Sequence, residues 1–251
     1  VMAHTPTSRR THAAALALAL LANASASERP NVVASQGGVA RWAGLAAADC
    51  GFHGKRYPAV DAACYYPIDL RAKTGVHEIA LYDQDGKQHL GSLTVEASVF
   101  PEVEITLPDD RFVHPSATDL ARHLEERKRV LALFKQDTAP ARFSLPLSQP
   151  ATSTPASEND FGSRRLFNGV RKSQHTGRDA PVAFGSAVKA VADGTVLLAE
   201  EQFFTGHSVF VNHGGGLISM NFHLSELAVA AGDEVKRGQT LGNVGSSGRP
   251  T

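Results

Sequence analysis

Residues 187–222 read AVKAVADGTVLLAEEQFFTGHSVFVNHGGGLISMNF, and this stretch decides the fold. Short apolar runs at 187–191, 194–199, 208–212 and 217–222 are separated by Asp193-Gly194, Thr205-Gly206 and Gly214-Gly215-Gly216. A further run follows at 240–244 after Gly238. None is long enough for a helix, and β-branched and apolar residues between turn glycines at such short intervals specify strands. Residues 161–251 are therefore expected to form an all-β unit, an antiparallel sandwich or barrel-sandwich-like domain.

Upstream the texture is also β. Residues 76–82 and 89–95 alternate apolar and polar side chains around Asp83-Gln84-Asp85-Gly86-Lys87, whose Asp-Gly step suits a hairpin. A small N-terminal β domain is expected over 30–101. Pro115-Ser116 then opens a helix, with Ser116 as N-cap and Asp119 in the first turn. Leu120, Leu124, Leu131 and Phe134 give this helix one apolar face. Pro140, Pro146, Pro150 and Pro155 among Ser and Thr leave no room for a regular element in 136–160, so 102–160 reads as a helix and linker. The fold class is mainly β, with one connecting helix.

The first residues are of another kind. Arg9 and Arg10 precede an Ala/Leu run over 13–22 and small residues through Ala24 and Ala26, the pattern of a secretory signal spanning 1–26. The apolar run of about ten residues is far short of the ~20 needed to cross a bilayer, so no transmembrane anchor is expected after cleavage. Thr11 and His12 favour the general secretory route over twin-arginine export. The expected location is the periplasm or cell envelope. There Cys50 and Cys64, the only cysteines, either close a short loop worth ~3 kcal/mol or stand as two buried thiols. Across the 251 residues, Lys plus Arg and Asp plus Glu both number 25, so no net field draws the chain to nucleic acid.

Three segments carry candidate chemistry. His175-Thr176-Gly177-Arg178-Asp179 places an imidazole and a carboxylate four residues apart, and Gly177 with Pro181 argues for a loop or strand end. Nitrogen and carboxylate oxygen both suit zinc, although an isolated H-x-x-x-D arises readily by chance. His223, in Met220-Asn221-Phe222-His223-Leu224-Ser225, ends an apolar strand, where a lone histidine is more often a hydrogen-bonded core residue than a catalyst. Residues 231–242 supply turn glycines and no chemistry. His213-Gly214-Gly215-Gly216 mimics a lipase oxyanion loop, but no G-x-S-x-G accompanies it. His77-Glu78 does not extend to H-E-x-x-H.

Taken in order, FGSRR (161–165), FNG (167–169), HTGRD (175–179), GHSV (206–209), MNFHLS (220–225), GDEVKRGQTLG (232–242) and VGSSGRPT (244–251) resemble the lysostaphin/LytM zinc endopeptidases. The resemblance covers 161–251 densely and implies a zinc-dependent enzyme that hydrolyses peptide cross-links of peptidoglycan. It implies His175 and Asp179 as zinc ligands and His223 as the catalytic histidine, which orients water, moves protons or hydrogen-bonds the oxyanion. The third ligand in such proteins is the second His of an H-x-H after G-R-x-T-G-P. Residues 1–251 contain neither of its histidines, so the peptidase domain reads as incomplete and the chain as written is expected to bind zinc poorly and to be inactive. Arg178 and Asn212 depart from the usual residues of the pattern without touching an assigned ligand. His213 is expected to be structural, and His207 a surface loop residue. The alternative implied is a non-catalytic LytM-type module that regulates cell-wall amidases, with those enzymes as partners.

Overall fold

The computed structural model describes residues 29–135, 140–152 and 161–250, with residues 171 and 172 by backbone only. The signal segment 1–26 lies outside the described residues, as does 153–160 of the linker. The described chain is mainly β with one α-helix.

Seven strands precede residue 100: β1 (Asn31–Ser35), β2 (Val39–Trp42), β3 (Ala47–Phe52), β4 (Lys55–Pro58), β5 (Cys64–Pro67), β6 (Gly75–Asp83) and β7 (Gln88–Glu96). Five of them form a sheet in the order β1-β7-β6-β3-β4, while β2 and β5 pair separately. The β6–β7 hairpin turns where the Asp-Gly step lies, and Asp83 Oδ1 accepts the amides of Asp85 at 3.1 Å and Lys87 at 2.9 Å. Trp42, Tyr66, Ile79, Leu81 and Leu93 pack with Cys50 and Cys64 into one core. The two cysteines are joined in a disulfide across 14 residues.

Next come β8 (Glu102–Ile105) and α1 (Ala117–Leu133). Ser116 caps α1 by accepting the Asp119 amide at 3.1 Å. The expected apolar face is not the face that docks. Leu120, Leu124, Leu131 and Phe134 remain 45–52% exposed, whereas Glu126 is 4% exposed. Glu126 is drawn in because the Phe203 amide needs an acceptor. Its Oε2 takes that N–H at 2.9 Å and its Oε1 takes Arg122 Nε at 2.7 Å. Arg129 adds a 2.7 Å bond to Glu200. An orphaned buried amide costs ~1–3 kcal/mol, enough to select the polar stripe for the interface.

The remaining strands are β9 (Arg164–Phe167), β10 (Val170–Gln174), β11 (Ala187–Lys189), β12 (Gly194–Gln202), β13 (Gly206–Asn212), β14 (Ile218–Leu227), β15 (Glu234–Val235) and β16 (Thr240–Val244). β9 and β10 form a hairpin whose two-residue turn, Asn168-Gly169, has both φ angles positive (49° and 76°), as the twist of a tight hairpin demands. β8 lies parallel to β9, making a three-stranded sheet. Asn168 ties the two together, its Oδ1 accepting the Leu107 amide at 2.8 Å. The last six strands form one antiparallel sheet in the order β11-β16-β14-β13-β12-β15. Its core is Val188, Ala190, Val196, Val209, Val211, Leu224, Val235 and Leu241, each buried aliphatic of Val or Leu size contributing ~1.5–3 kcal/mol.

Candidate metal and catalytic site

His175 follows directly on the end of β10, so the strand delivers it to a loop, as Gly177 and Pro181 predict. The His175 amide donates to Ser163 O at 2.7 Å and its carbonyl accepts from Gly162 N at 2.7 Å, continuing the β9–β10 pairing by one step. The chain then bends so that His175 Nε2 and Asp179 Oδ1 stand 3.4 Å apart. Two donor atoms each ~2.1 Å from a tetrahedral zinc lie about 3.4 Å from each other, so the pair has the spacing of two such ligands. No cluster of three or more His, Cys, Asp or Glu with metal-site geometry occurs among the described residues.

Arg165, on β9 and 8% exposed, organises the pair. Its Nη2 donates to Asp179 Oδ2 at 2.6 Å and to His175 Nδ1 at 3.0 Å. A guanidinium can only donate, so Nδ1 is the acceptor and the ring proton sits on Nε2, facing Asp179 Oδ1. Burial pushes the Asp179 carboxyl up, but the hydrogen bonds from His175 and Arg165 outweigh it and hold the group well below the usual carboxylate range. The carboxylate is split between two duties, Oδ2 to the arginine and Oδ1 to the shared point with His175.

His223 sits in a bulge of β14. Its φ of 59° is in the left-handed region, costly for a residue with a Cβ, and the β13–β14 register slips there between the pairs Val209–Asn221 and His207–Leu224. The His223 amide donates to Thr205 O at 2.9 Å, and ring Nδ1 donates to Ser247 O at 2.7 Å. That bond fixes the tautomer, leaving Nε2 as the free base. Burial lowers the His223 pKa, Ser247 and Asp179 oppose this, and Arg249 and Arg165 reinforce it. The Asp179 and Arg165 charges are thus both felt at His223, so the ring lies within electrostatic reach of them.

The support for His223 is the loop after β16. Ser247 Oγ accepts the His207 amide at 2.9 Å and donates to Leu224 O at 2.7 Å. Gly206 makes this approach possible: at φ 61°, a Cβ there would lie 2.2 Å from Ser247 Oγ and 2.4 Å from its carbonyl carbon. His207 is not the surface loop residue expected. It lies in β13, half-buried, with Nδ1 bonded to Leu224 O at 3.2 Å, because β13 starts one residue before it. His213 is fully buried between Asp193 O and Ser219 Oγ, each at 2.8 Å, as a structural residue.

Sequence reasoning passed over Arg165, Ser247 and Arg249. Each lies in a quoted segment, but only the fold shows that Arg165 reaches residues 10 and 14 positions away and that Ser247 reaches 24 positions back.

The profile of Peptidase family M23 matches residues 173–251. The peptidoglycan DD-endopeptidase ShyA of Vibrio cholerae is 32% identical over 94 residues, 37% of this chain and 22% of ShyA. The murein hydrolase activator EnvC of Escherichia coli is 42% identical over 64 residues, 26% of this chain and 15% of EnvC. The chain thus spans less than a quarter of the length of these curated relatives. A crystal structure of a putative peptidase M23 from Pseudomonas aeruginosa superposes with a TM-score of 0.62 at 26% identity, covering 86% of this chain and 85% of that one. Site geometry, family profile and fold converge: residues 173–251 are a peptidase family M23 domain, homologous to the LytM/lysostaphin-type peptidoglycan endopeptidases.

Proposed function

We propose that the protein is a zinc metalloendopeptidase that hydrolyses peptide cross-links of peptidoglycan in the cell envelope. His175 and Asp179 are its zinc ligands and His223 its catalytic histidine. The observation that carries this reading is the 3.4 Å approach of His175 Nε2 to Asp179 Oδ1, within electrostatic reach of a tautomer-locked His223. His175 and Asp179 would hold the ion, which would supply Lewis-acid polarisation of a carbonyl and a nucleophile from water at neutral pH. Arg165 holds Asp179 through Oδ2, and Oδ1, which faces His175 Nε2, is the atom that would meet the metal. To bind through Nε2, the neutral His175 ring carries its proton on Nδ1 instead, and the Arg165 contact to that nitrogen gives way. His223, neutral and with Nε2 free, accepts a proton from the attacking water and returns it to the leaving amine.

The names of the relatives support peptidoglycan as substrate and an extracytoplasmic location. No helix among the described residues is long and apolar enough to cross a membrane. The test uses the chain carrying the H-x-H motif that the resemblance calls for. Zinc per protein after dialysis and peptide release from purified peptidoglycan are measured for wild type, His175→Ala, Asp179→Ala and His223→Ala. The first two lose zinc and activity, and the third keeps zinc and loses activity. Full zinc and cleavage in His175→Ala would overturn the assignment. The likeness to EnvC favours a second reading, a non-catalytic module that activates cell-wall amidases. It predicts amidase stimulation that survives all three substitutions.

A further inference from the structure

Arg249 has an unusual setting. Its Cζ lies 4.3 Å from the centroid of the Phe167 ring and 4.7 Å from that of Phe204, so two aromatic groups grip one guanidinium. Its backbone amide donates to Phe204 O at 2.8 Å, fixing the residue at both ends. Among the described residues the guanidinium itself has no hydrogen bond and no ion pair. Stacking is not what sets it apart. Arg111 lies over Phe203 at 5.0 Å but is bonded to Asp119, and Arg56 lies over Tyr82 at 4.0 Å but is bonded to Asp49. Arg249 alone of these three has its plane fixed and its donors unspent.

The surrounding field is positive. Arg165 bears on Arg249, and Arg249 bears on His123 and on His223, with no carboxylate acting on Arg249. The charge of Arg165 is met by Asp179; among the described residues no carboxylate pairs with Arg249. One residue, Gly248, separates Arg249 from Ser247, whose carbonyl holds the His223 ring, so this cation is tied by a short tether to the candidate catalytic histidine. A pre-organised, half-buried guanidinium with unspent donors is suited to bidentate capture of a carboxylate.

We propose that Arg249, gripped by Phe167 and Phe204, is a carboxylate-binding site that engages a carboxylate of the peptide substrate next to His223. The proposal rests on the peptidase reading, and binding is separable from turnover. Full chain labelled with ¹⁵N is titrated with D-alanyl-D-alanine and with its C-terminal amide, reading the Arg249 Nε–H resonance and the affinity by calorimetry. The acid shifts that resonance and binds about tenfold more tightly than the amide, as expected for one charge-assisted contact. Arg249→Met, which retains the packing volume, binds acid and amide equally. Arg249→Lys keeps a reduced preference. Phe204→Leu, which removes one face of the clamp, lowers the preference with the cation in place. Equal binding of acid and amide by wild type would overturn the proposal, as would an undiminished preference in Arg249→Met. If Arg249→Met fails to fold, the wild-type resonance decides: a shift with acid alone supports the site, and no shift refutes it. An intact acid preference in a chain that carries the H-x-H motif, retains zinc and still does not cleave peptidoglycan would sink the peptidase reading and leave this site standing.

Discussion

Replacing Gly206 by alanine tests the claim that the loop carrying Ser247 buttresses the site through close backbone approach. Two penalties combine. At φ 61° an L-residue costs ~1–2 kcal/mol relative to glycine. The new Cβ would also lie 2.2 Å from Ser247 Oγ and 2.4 Å from the Ser247 carbonyl carbon, and relief of that overlap costs ~1–3 kcal/mol. Gly216 isolates the second part, because it has φ 82° with no heavy atom within 4 Å of a built Cβ. Gly216→Ala therefore carries the dihedral cost alone, ~1–2 kcal/mol, and Gly206→Ala about 2–5 kcal/mol. Native-state hydrogen exchange over Gly206–Asn212 reads the local free energy, which fluorescence of Trp42 in the other sheet would miss. The expected gap between the variants is ~1–3 kcal/mol, with β13 amides exchanging faster in Gly206→Ala. If Gly206→Ala costs no more than Gly216→Ala, the loop yields freely and does not position His223.

Glu126→Ala strips the Phe203 amide of its acceptor and should lower stability by ~1–3 kcal/mol in chemical denaturation, with Glu126→Gln, which can still accept, costing less; equal costs would refute the role given to that hydrogen bond. Burial holds the fully buried His213 imidazole below its ordinary pKa, so the fold favours the neutral ring. Its contribution is present above the unfolded value of ~6.5 and is lost as pH falls through the depressed folded value. Urea midpoints at several pH values should therefore drop on the acid side more steeply in wild type than in His213→Gln, and parallel curves would contradict this. Removing the Cys50–Cys64 link in a Cys50→Ala/Cys64→Ala double variant should cost about 3 kcal/mol, read from Trp42 fluorescence in denaturant, since it frees a loop of 14 residues in the unfolded chain; an unchanged midpoint would show that the unfolded state gains nothing from its loss.

Strand texture was legible throughout because period-2 patterns and turn glycines act locally. The Asp83–Lys87 turn and the Ser116 cap fall where the residues put them. The docking side of α1 was not legible. Its leucines mark an apolar stripe, but the partner surface offers an unsatisfied Phe203 amide and the side chain of Glu200, and these select Glu126 and Arg129. The Asn168-Gly169 hairpin carries a strong local signal that lay hidden inside a motif match. Within the site, His175 and Asp179 are four apart in sequence, so their meeting at 3.4 Å is a local event. Arg165 and Ser247 act across strand pairings, which spacing along the chain does not encode.

The parallel pairing of β8 with β9 has a practical meaning for anyone who would cut this protein into pieces. The match to the peptidase family profile begins at residue 173, yet the guanidinium that orients Asp179 belongs to residue 165, and its strand is flanked by Glu102–Ile105. In sequence α1 lies between these two strands. A gene fragment trimmed to the border of the profile match would therefore shed Arg165 and one wall of the Arg249 clamp, Phe167, while keeping His175, Asp179 and His223. The excised piece would carry the signature of the site without the strand that aims it. The segment that matches the family profile and the mechanical unit that positions His175 and Asp179 are of different length, and the longer one reaches back past the helix to Glu102.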